Sequence, residues 1–428
     1  MAAPDKTRRD ETTQDAPGVP ARRAALKLLD AVQRRGQPLE TALHNATQGL
    51  NHPPDRALAH ALAAEVLRRL PDLDALIDSA TRLVLAEDAK ARAVLRIALA
   101  QALVLGTPPH AAIATVLPLV DGGPRKLVHG VFGTLMRQGA TLPELPTLPA
   151  PIVERWTTQW GAGVAEAARR SIAAPPPLDL SLKADDVAHP DGTALLPRHI
   201  RLPAGAPVVA AEGFAEGGWW VQDLAASIPA RLIGAGTGRV LDLCAAPGGK
   251  TLQLAAAGWQ VTALDIAQSR MGRLNENLAR TGLEAEVVTA DALKWEAEAP
   301  YDAVLLDAPC SATGIFRRHP DVLHRSGPRL IAEMAELQAR ILARAADWVR
   351  PGGLLVYATC SLEPAEGEAQ VEAFLTARGD FAIDPALPDE LPDGLPAASR
   401  GWVRVLPGML ADVGGLDGFF ICRMMRTG

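Results

Sequence analysis

The run VLDLCAAPGGKT at residues 240–251 decides how this chain folds. Residues 240–243 are short and apolar and predict a buried strand. The next six residues, Cys244, Ala245, Ala246, Pro247, Gly248 and Gly249, are small or turn-forming; Leu252, Leu254 and Ala255 then begin a helical pattern. Strand, tight small-residue loop and helix together make the ligand crevice of a doubly wound α/β sheet, at the carboxyl ends of its strands. Small residues let the backbone approach a ligand, and glycine supplies positive φ without a Cβ clash. Alone, the run also fits an ordinary strand-to-helix turn, so the decision rests on what stands downstream.

Downstream the alternation is regular. Strands are predicted at 240–243, 260–264, 285–289, 303–306 and 354–359, and helices at 249–257, 268–281, 328–349 and 365–377. A near-continuous apolar run at 418–424 predicts a closing strand. The pattern predicts a parallel, doubly wound sheet across 239–428. Asp265, Asp291, Asp307 with Cys310, and Cys360 stand just past the ends of four successive strands, on the face where such sheets bind ligands. Asp265, after the second strand, is placed for ribose hydroxyls, and Asp291 for a base edge. Each acid alone could equally cap a helix. As a set behind the small-residue loop they predict a nucleotide-like cofactor.

Lys250 opens the first helix of this core, where the helix dipole disfavours a cation. It is expected either to pair with Asp307, to meet the substrate, or to snorkel at the surface. The four cysteines are Cys244, Cys310, Cys360 and Cys422. None forms a CxxC pair, so neither a zinc knuckle nor another metal site is expected. A free cysteine is usually a small buried hydrophobe, which suits Cys422 inside the last strand and Cys244 in the loop. Cys310 and Cys360 instead fall in the crevice, where a thiolate can find an electropositive, partly exposed site.

The rest of the chain has a different texture. Residues 1–19 are polar and charged and read as a disordered tail. Ala24, Leu28, Leu29 and Val32 share a helical face that ends at Gly36, and further helices are predicted at 39–46, 55–70, 73–83, 90–105, 111–120 and 125–137. Residues 20–140 therefore predict an all-α domain, followed by a Pro-rich linker over 141–151. Residues 152–238 predict a small α+β connector, with a helix at 152–172 and strands at 178–182, 208–210 and 219–222.

With 428 residues, 48% hydrophobic and 21% charged, the chain can bury cores in two or three domains. No apolar run reaches the roughly 18 residues of a membrane span, and the charged start lacks a secretion signal. A cytoplasmic protein is expected. The net charge of −6 argues against a generic nucleic-acid coat protein. Charge is uneven, though: 18 basic against 15 acidic residues in 1–150, and 25 against 34 in the remainder.

The runs DLCAAPGGKT (242–251), DAPCSATG (307–314) and TCS (359–361) closely resemble the RNA cytosine-5 methyltransferases of the Nop/Sun family. So do VQDLAA (221–226) and the closing LPG and DGFF. The helical start, with ARRAALKLLDAVQRRG, LAAEVLRR and PPHAAI, resembles the domain shared with the antitermination factor NusB. Within that family the combination is the layout of bacterial small-subunit rRNA enzymes. VHGVFGTLMR at 128–137 departs from the family's usual VNAVLR-like run. The resemblance implies a Rossmann-like catalytic domain that uses S-adenosyl-L-methionine, held by Cys244, Ala245, Ala246, Pro247, Gly248, Gly249, Lys250, Asp265, Asp291 and Asp307. It implies Cys360 as the nucleophile that adds to cytosine C6, Cys310 as the residue that assists release, and Asp307 at the N3/N4 edge of the base. A thiolate on C6 makes C5 nucleophilic enough to take a methyl group, dividing one hard step into two. The target base must be unpaired or flipped out. Arg317, Arg318 and His319 are either solvated surface or phosphate contacts.

The resemblance thus implies methylation of a cytosine in 16S rRNA, naked or in early assembly; a monomer is expected because nothing in the sequence suggests an obligate dimer. Methylation of tRNA or another RNA is a rival within the class. A non-catalytic RNA-binding or assembly factor is a rival outside it, opposed by the presence of both crevice thiols, and a regulator of transcription acting through the helical domain is a third.

Overall fold

The computed structural model describes residues 16–428. The predicted tail falls almost wholly outside them. The chain forms two compact units that divide between Thr147 and Leu148.

The first unit holds α1 (Val19–Arg35), α2 (Leu39–Ala46), α3 (Pro53–Arg68), α4 (Leu70–Ser79), α5 (Lys90–Leu103), α6 (Pro109–Val116) and α7 (Gly122–Arg137). In α1 the predicted stripe of Ala24, Leu28, Leu29 and Val32 is buried. Gly36 ends the helix at φ 63°, its N–H donating to the Val32 carbonyl at 3.1 Å, because only a residue without Cβ turns left-handed there cheaply. Helix α5 is buried along most of its length, and its Arg96 forks onto Asp74 at 2.7 and 2.8 Å. Helices α3 and α4 start earlier than predicted, at Pro53 and Leu70. Proline at the first turn costs no hydrogen bond, so it opens a helix rather than excluding one.

The second unit opens with α8 (Ala150–Trp160) and α9 (Ala162–Ile172). One helix was expected over 152–172; Gly161 at φ 85° divides it. A four-stranded antiparallel sheet follows, built from β1 (Leu178–Leu182), β2 (Thr193–Leu196), β3 (His199–Leu202) and β4 (Trp219–Val221) in the order β2-β3-β1-β4. Residues 208–210 are not the predicted strand: the Ala211 N–H closes a turn onto the Val208 carbonyl at 3.2 Å. Helix α10 (Leu224–Ile233) is capped by Asp223, whose Oδ1 accepts the Ala225 N–H at 2.9 Å.

The main sheet contains β5 (Arg239–Leu243), β6 (Gln260–Asp265), β7 (Glu286–Thr289), β8 (Tyr301–Asp307), β9 (Val349–Thr359), β10 (Phe381–Ile383), β11 (Val403–Val405) and β12 (Phe419–Arg426). Its order is β10-β12-β9-β8-β5-β6-β7, with β11 also on β12. Helices α11 (Gly249–Ala256), α12 (Gln268–Thr281), α13 (Val322–Arg325), α14 (Pro328–Asp347) and α15 (Glu368–Ala377) link these strands.

Strands β5 to β9 are parallel, as predicted, but β12 runs antiparallel to β9 and to its other neighbours, β10 and β11. The sheet is therefore mixed. A buried apolar run shows that a strand is covered on both faces, but not its direction; the link from β11 to β12 contains no α-helix, and β12 enters antiparallel between β9 and β10. Strand order reverses beside β5, which places the crevice at the carboxyl ends of β5 and β8.

Candidate active site

The loop after β5 is shaped by its small residues. Cys244 takes the left-handed conformation at φ 60°, which costs a non-glycine residue about 1–2 kcal/mol. The Ala245 N–H then donates to the Leu264 carbonyl (3.1 Å), and the Ala246 N–H to Asp265 Oδ2 (3.2 Å). Gly248 sits at φ 108°, and a Cβ there would overlap Leu274 of α12. Glycine is thus required twice over, by conformation and by close packing. Thr251 on α11 donates to Asp242 Oδ2 at 2.6 Å.

A cavity of about 470 Å³ opens beside this loop, within the range of small-molecule sites. Cys244, Ala245, Ala246, Pro247, Gly249, Lys250 and Asp307 line it, together with Asp242 on β5 and the Trp220–Asp223 segment. Asp242 is fully buried, and its Oδ1 has no partner among the described residues. Burial pushes its carboxyl up to about 7, against the opposing Thr251 hydrogen bond and the nearby Lys250 charge. A buried acceptor left open at a roomy, largely apolar cavity, behind a loop with no bulky side chain, fits a nucleoside-like cofactor.

Gly248 shapes the loop from behind and does not line the cavity; nor do Asp265 and Asp291. Asp265 is 2% exposed. Besides Ala246 it accepts the Ala267 N–H (2.8 Å) and the half-exposed Arg270 guanidinium (3.0 Å). It anchors the loop, and a ribose would have to displace Arg270 to reach it. Asp291 caps its own turn through Leu293 N–H at 3.0 Å.

At the inner end of the cavity, Lys250 Nζ pairs with Asp307 Oδ2 at 2.7 Å. Burial alone would lower the Lys250 ammonium. Asp307 first, then Asp242 and Cys360, raise it above its ordinary value, so it stays charged. A fixed cation near Cys360 is what a reactive thiolate requires. Cys310 and Cys360, 50 residues apart, bring their sulfurs to 3.4 Å. The hydrogen bond to Cys360 pushes the Cys310 thiol well above its ordinary range; burial and the negative charges of Cys360 and Glu366 add to it. These causes all favour the protonated form of Cys310. The other two thiols stand apart: burial pushes Cys244 up, and Cys422, in the sheet core, to about 12.

Arg317 is held inside the protein by ion pairs, whereas Arg318, on the same partners, lines the cavity. Arg317 is 3% exposed and bridges Asp223 and Asp417 at 2.5 Å each, and Arg318 joins the same two acids at 2.8 and 3.3 Å. The two aspartates lie far away in sequence, so nothing local announced the pairing. His319 also reaches the cavity wall. Sequence reasoning also missed Glu366, a fully buried acid bound to both cysteine loops. Its one visible signal was its position six residues past Cys360.

Among the described residues no group of His, Cys, Asp and Glu could hold a metal ion, and no helix is long and apolar enough to cross a membrane.

An α/β sheet with a small-residue loop, a nucleoside-sized cavity and two thiols in contact past the ends of β8 and β9 defines the class as a cofactor-dependent group transferase of the methyltransferase fold. Residues 233–425 match the family described as 16S rRNA methyltransferase RsmB/F, and residues 19–133 match the NusB family. Ribosomal RNA small subunit methyltransferase B of Klebsiella pneumoniae (strain ATCC 700721) is 34% identical, with 95% of this chain and 98% of that protein covered. Its namesake in Xylella fastidiosa (strain Temecula1) is 37% identical, over 96% and 98%. The chain belongs to the RsmB/F family of 16S rRNA methyltransferases. Two solved structures share the fold: PH0851 (TM-score 0.72, 22% identity, covering 96% of this chain and 99% of that one), and NSun6 from Pyrococcus horikoshii with SFG (0.55, 18%, 65% and 98%).

Proposed function

We propose that this chain makes 5-methylcytosine in small-subunit rRNA, using S-adenosyl-L-methionine. It would act in the cytoplasm, as a monomer, on naked or early-assembly RNA. The observation that carries the reading is the contact between Cys310 and Cys360; neither lines the cavity, but the Lys250–Asp307 pair does, and the Lys250 ammonium feels Cys360. Relatives named ribosomal RNA small subunit methyltransferase B, matched over nearly their full length, support the substrate class.

The loop from Cys244 to Lys250, with Asp307, would hold the cofactor, and Asp265 and Asp291 would support it from behind. When bound, the cofactor supplies an electrophilic methyl group. Cys360, as thiolate beside the Lys250 ammonium, adds to C6 of an extruded cytosine. The C5=C6 electron pair moves towards C4 and N3; Asp307 would accept a hydrogen bond from the N4 amino group, and the Lys250 ammonium beside it would balance the negative charge formed at N3. C5 is now enamine-like and takes the methyl group. The C5 proton then leaves to water, its bonding pair re-forms C5=C6, and the C6–S bond breaks with its electrons on sulfur. Cys310 donates its S–H to that sulfur as it departs, which makes Cys360 the better leaving group.

The test is methyl transfer from labelled cofactor to unmodified small-subunit rRNA. Cys360→Ala should be inactive, and Cys310→Ala should accumulate a covalent protein–RNA adduct. An inactive Cys310→Ala without adduct, beside an active Cys360→Ala, would reverse the roles. Labelling of tRNA but not rRNA would overturn the substrate.

A further inference from the structure

We infer that Glu366 is a positioning residue that holds Cys310 against Cys360. The release role assigned to Cys310 rests on the function proposed above; the positioning itself rests on geometry. The two sulfurs are not held in the same way. Cys360 follows directly on β9, a strand bonded on both sides, with Asp307 opposite Ala358 and Phe420 opposite Thr359. Its own carbonyl accepts the Gly314 N–H at 2.9 Å. The sheet therefore places Cys360.

Cys310 has no such support. Residues 308–312 belong to neither helix nor strand. On one side of Cys310, the Pro309 carbonyl accepts Gln338 Nε2 at 2.8 Å. On the other, Ser311 donates its N–H to Glu366 Oε2 at 2.8 Å and its hydroxyl to Oε1. The same carboxylate accepts Gln338 Nε2 at 2.9 Å and the Ser361 hydroxyl at 3.1 Å. Both chain neighbours of Cys310 are thus tied to one buried carboxylate, which also grips the residue after Cys360. Its own backbone is fixed as well: the Glu366 carbonyl accepts the Tyr357 hydroxyl at 2.8 Å. Four donors converge on two oxygens, a site built for a carboxylate rather than an amide. Burial raises the Glu366 carboxyl and these donors oppose the rise. Where it is ionised, its charge helps keep the proton on Cys310.

The test uses the full-length protein as wild type, Glu366→Gln, Ser311→Ala, Cys310→Ala, and the double variant Glu366→Gln with Cys360→Ala. Gln matches the shape but turns a donor towards the Ser311 N–H. Ser311→Ala removes a single hydroxyl and keeps the experiment decisive if Glu366→Gln does not fold. The first readout needs no catalysis: the rate at which diamide, a thiol oxidant that takes up the two hydrogens, closes a Cys310–Cys360 disulfide, followed by alkylation and mass spectrometry. Closure should slow at least tenfold in Glu366→Gln and severalfold in Ser311→Ala. The second readout is reaction with rRNA. Glu366→Gln should methylate within a few-fold of wild type in the first turnover, then stall as a covalent adduct. The double variant should form none.

Closure at the wild-type rate in whichever variant folds overturns the proposal. So does a Glu366→Gln protein that loses first-turnover methylation without adduct, because the residue would then serve Cys360 or the fold at large. If Cys310→Ala itself shows no adduct while Glu366→Gln still slows closure, the release role falls and the positioning stands.

Discussion

Cys310 Sγ lies 3.4 Å from Cys360 Sγ, although the two residues come from loops after different strands. That separation is van der Waals contact, and a disulfide needs only about 1.4 Å of further approach to reach its bond length of about 2.05 Å. Oxidation with diamide should therefore abolish methyl transfer, and excess dithiothreitol should restore it. Peptide mapping should find the new bond between these two cysteines, with Cys422 still a free thiol. Loss of first-turnover methylation on diamide treatment of the Cys310→Ala protein would show that the pair is not the oxidised site.

Lys250 is a charged group held in a buried place by Asp307 and placed where Cys360 feels it. Replacing it with methionine keeps the length and removes the charge. We expect kcat/KM to fall about 10²-fold, or roughly 2.7 kcal/mol of transition-state stabilisation, the size of loss typical for one preorganised electrostatic partner. The pH–rate profile should move as well, with the acid limb shifting to higher pH because the thiolate loses its cation. An unchanged profile with only a raised KM would reduce Lys250 to a binding contact.

Asp242 gives the protein a pH-dependent stability of unusual sign. Its carboxyl titrates near 7 in the folded chain and near 3.8 when unfolded. Between those values the folded state holds a proton that the unfolded state releases. The contribution is therefore fully present below about pH 4 and is lost as pH rises through 7. A shift of about three pK units corresponds to roughly 4 kcal/mol at most. Denaturant unfolding followed from pH 5 to 8 should show wild type losing stability relative to Asp242→Asn, whose curve lacks this component. Parallel curves would remove Asp242 as the source. Adenosyl cofactor should reduce the difference if it donates to the open Oδ1.

Arg317 shows where a surface reading of the sequence fails. An Arg-Arg-His run after a catalytic loop looks like a phosphate clamp, yet Arg317 is enclosed by Asp223 and Asp417. Removing one member of such a buried group leaves uncompensated charge and typically costs about 3–5 kcal/mol. Arg317→Met should therefore lower the thermal midpoint by several degrees. The slope of RNA affinity against log salt should not change, because no phosphate contact is lost. A stable variant with a shallower salt slope would restore the phosphate reading.

Much of the site was legible because strand ends are legible. Asp265, Asp307 and Cys360 each close an apolar run, so the sheet had to bring them to one edge. The loop residues were visible through their size alone. What stayed hidden was tertiary. The direction of β12 depends on the path of the chain, not on its apolar run. Glu366 could not be told from Glu363 or Glu368 in the string EPAEGE, because its burial comes from α14 and the cysteine loops. Glu363 is buried too, but serves a different partner, Arg155 at 2.8 Å. The helix starts at Pro53 and Leu70 were misplaced for a local reason: proline reads first as a breaker.

Gly314 joins the first cysteine loop to the second and to the closing strand. Its N–H donates to the Cys360 carbonyl at 2.9 Å, and its own carbonyl accepts the Gly418 N–H at 2.9 Å. A Cβ on Gly314 would overlap the Gly418 carbonyl, a backbone atom that cannot swing away. The DAPCSATG and DGFF runs thus depend on each other's glycine for close packing. Gly314→Ala should cost about 2–3 kcal/mol by overpacking and slow methyl transfer, since the same displacement separates Cys310 from Cys360. Gly272 in α12 has nothing within 4 Å of its hypothetical Cβ, so Gly272→Ala should stabilise by about 0.5–1 kcal/mol. Thermal unfolding of the two variants side by side separates packing from backbone entropy. Equal midpoints would mean that the Gly314–Gly418 approach relaxes without cost, and that the two loops are held together by Glu366 and the sheet alone.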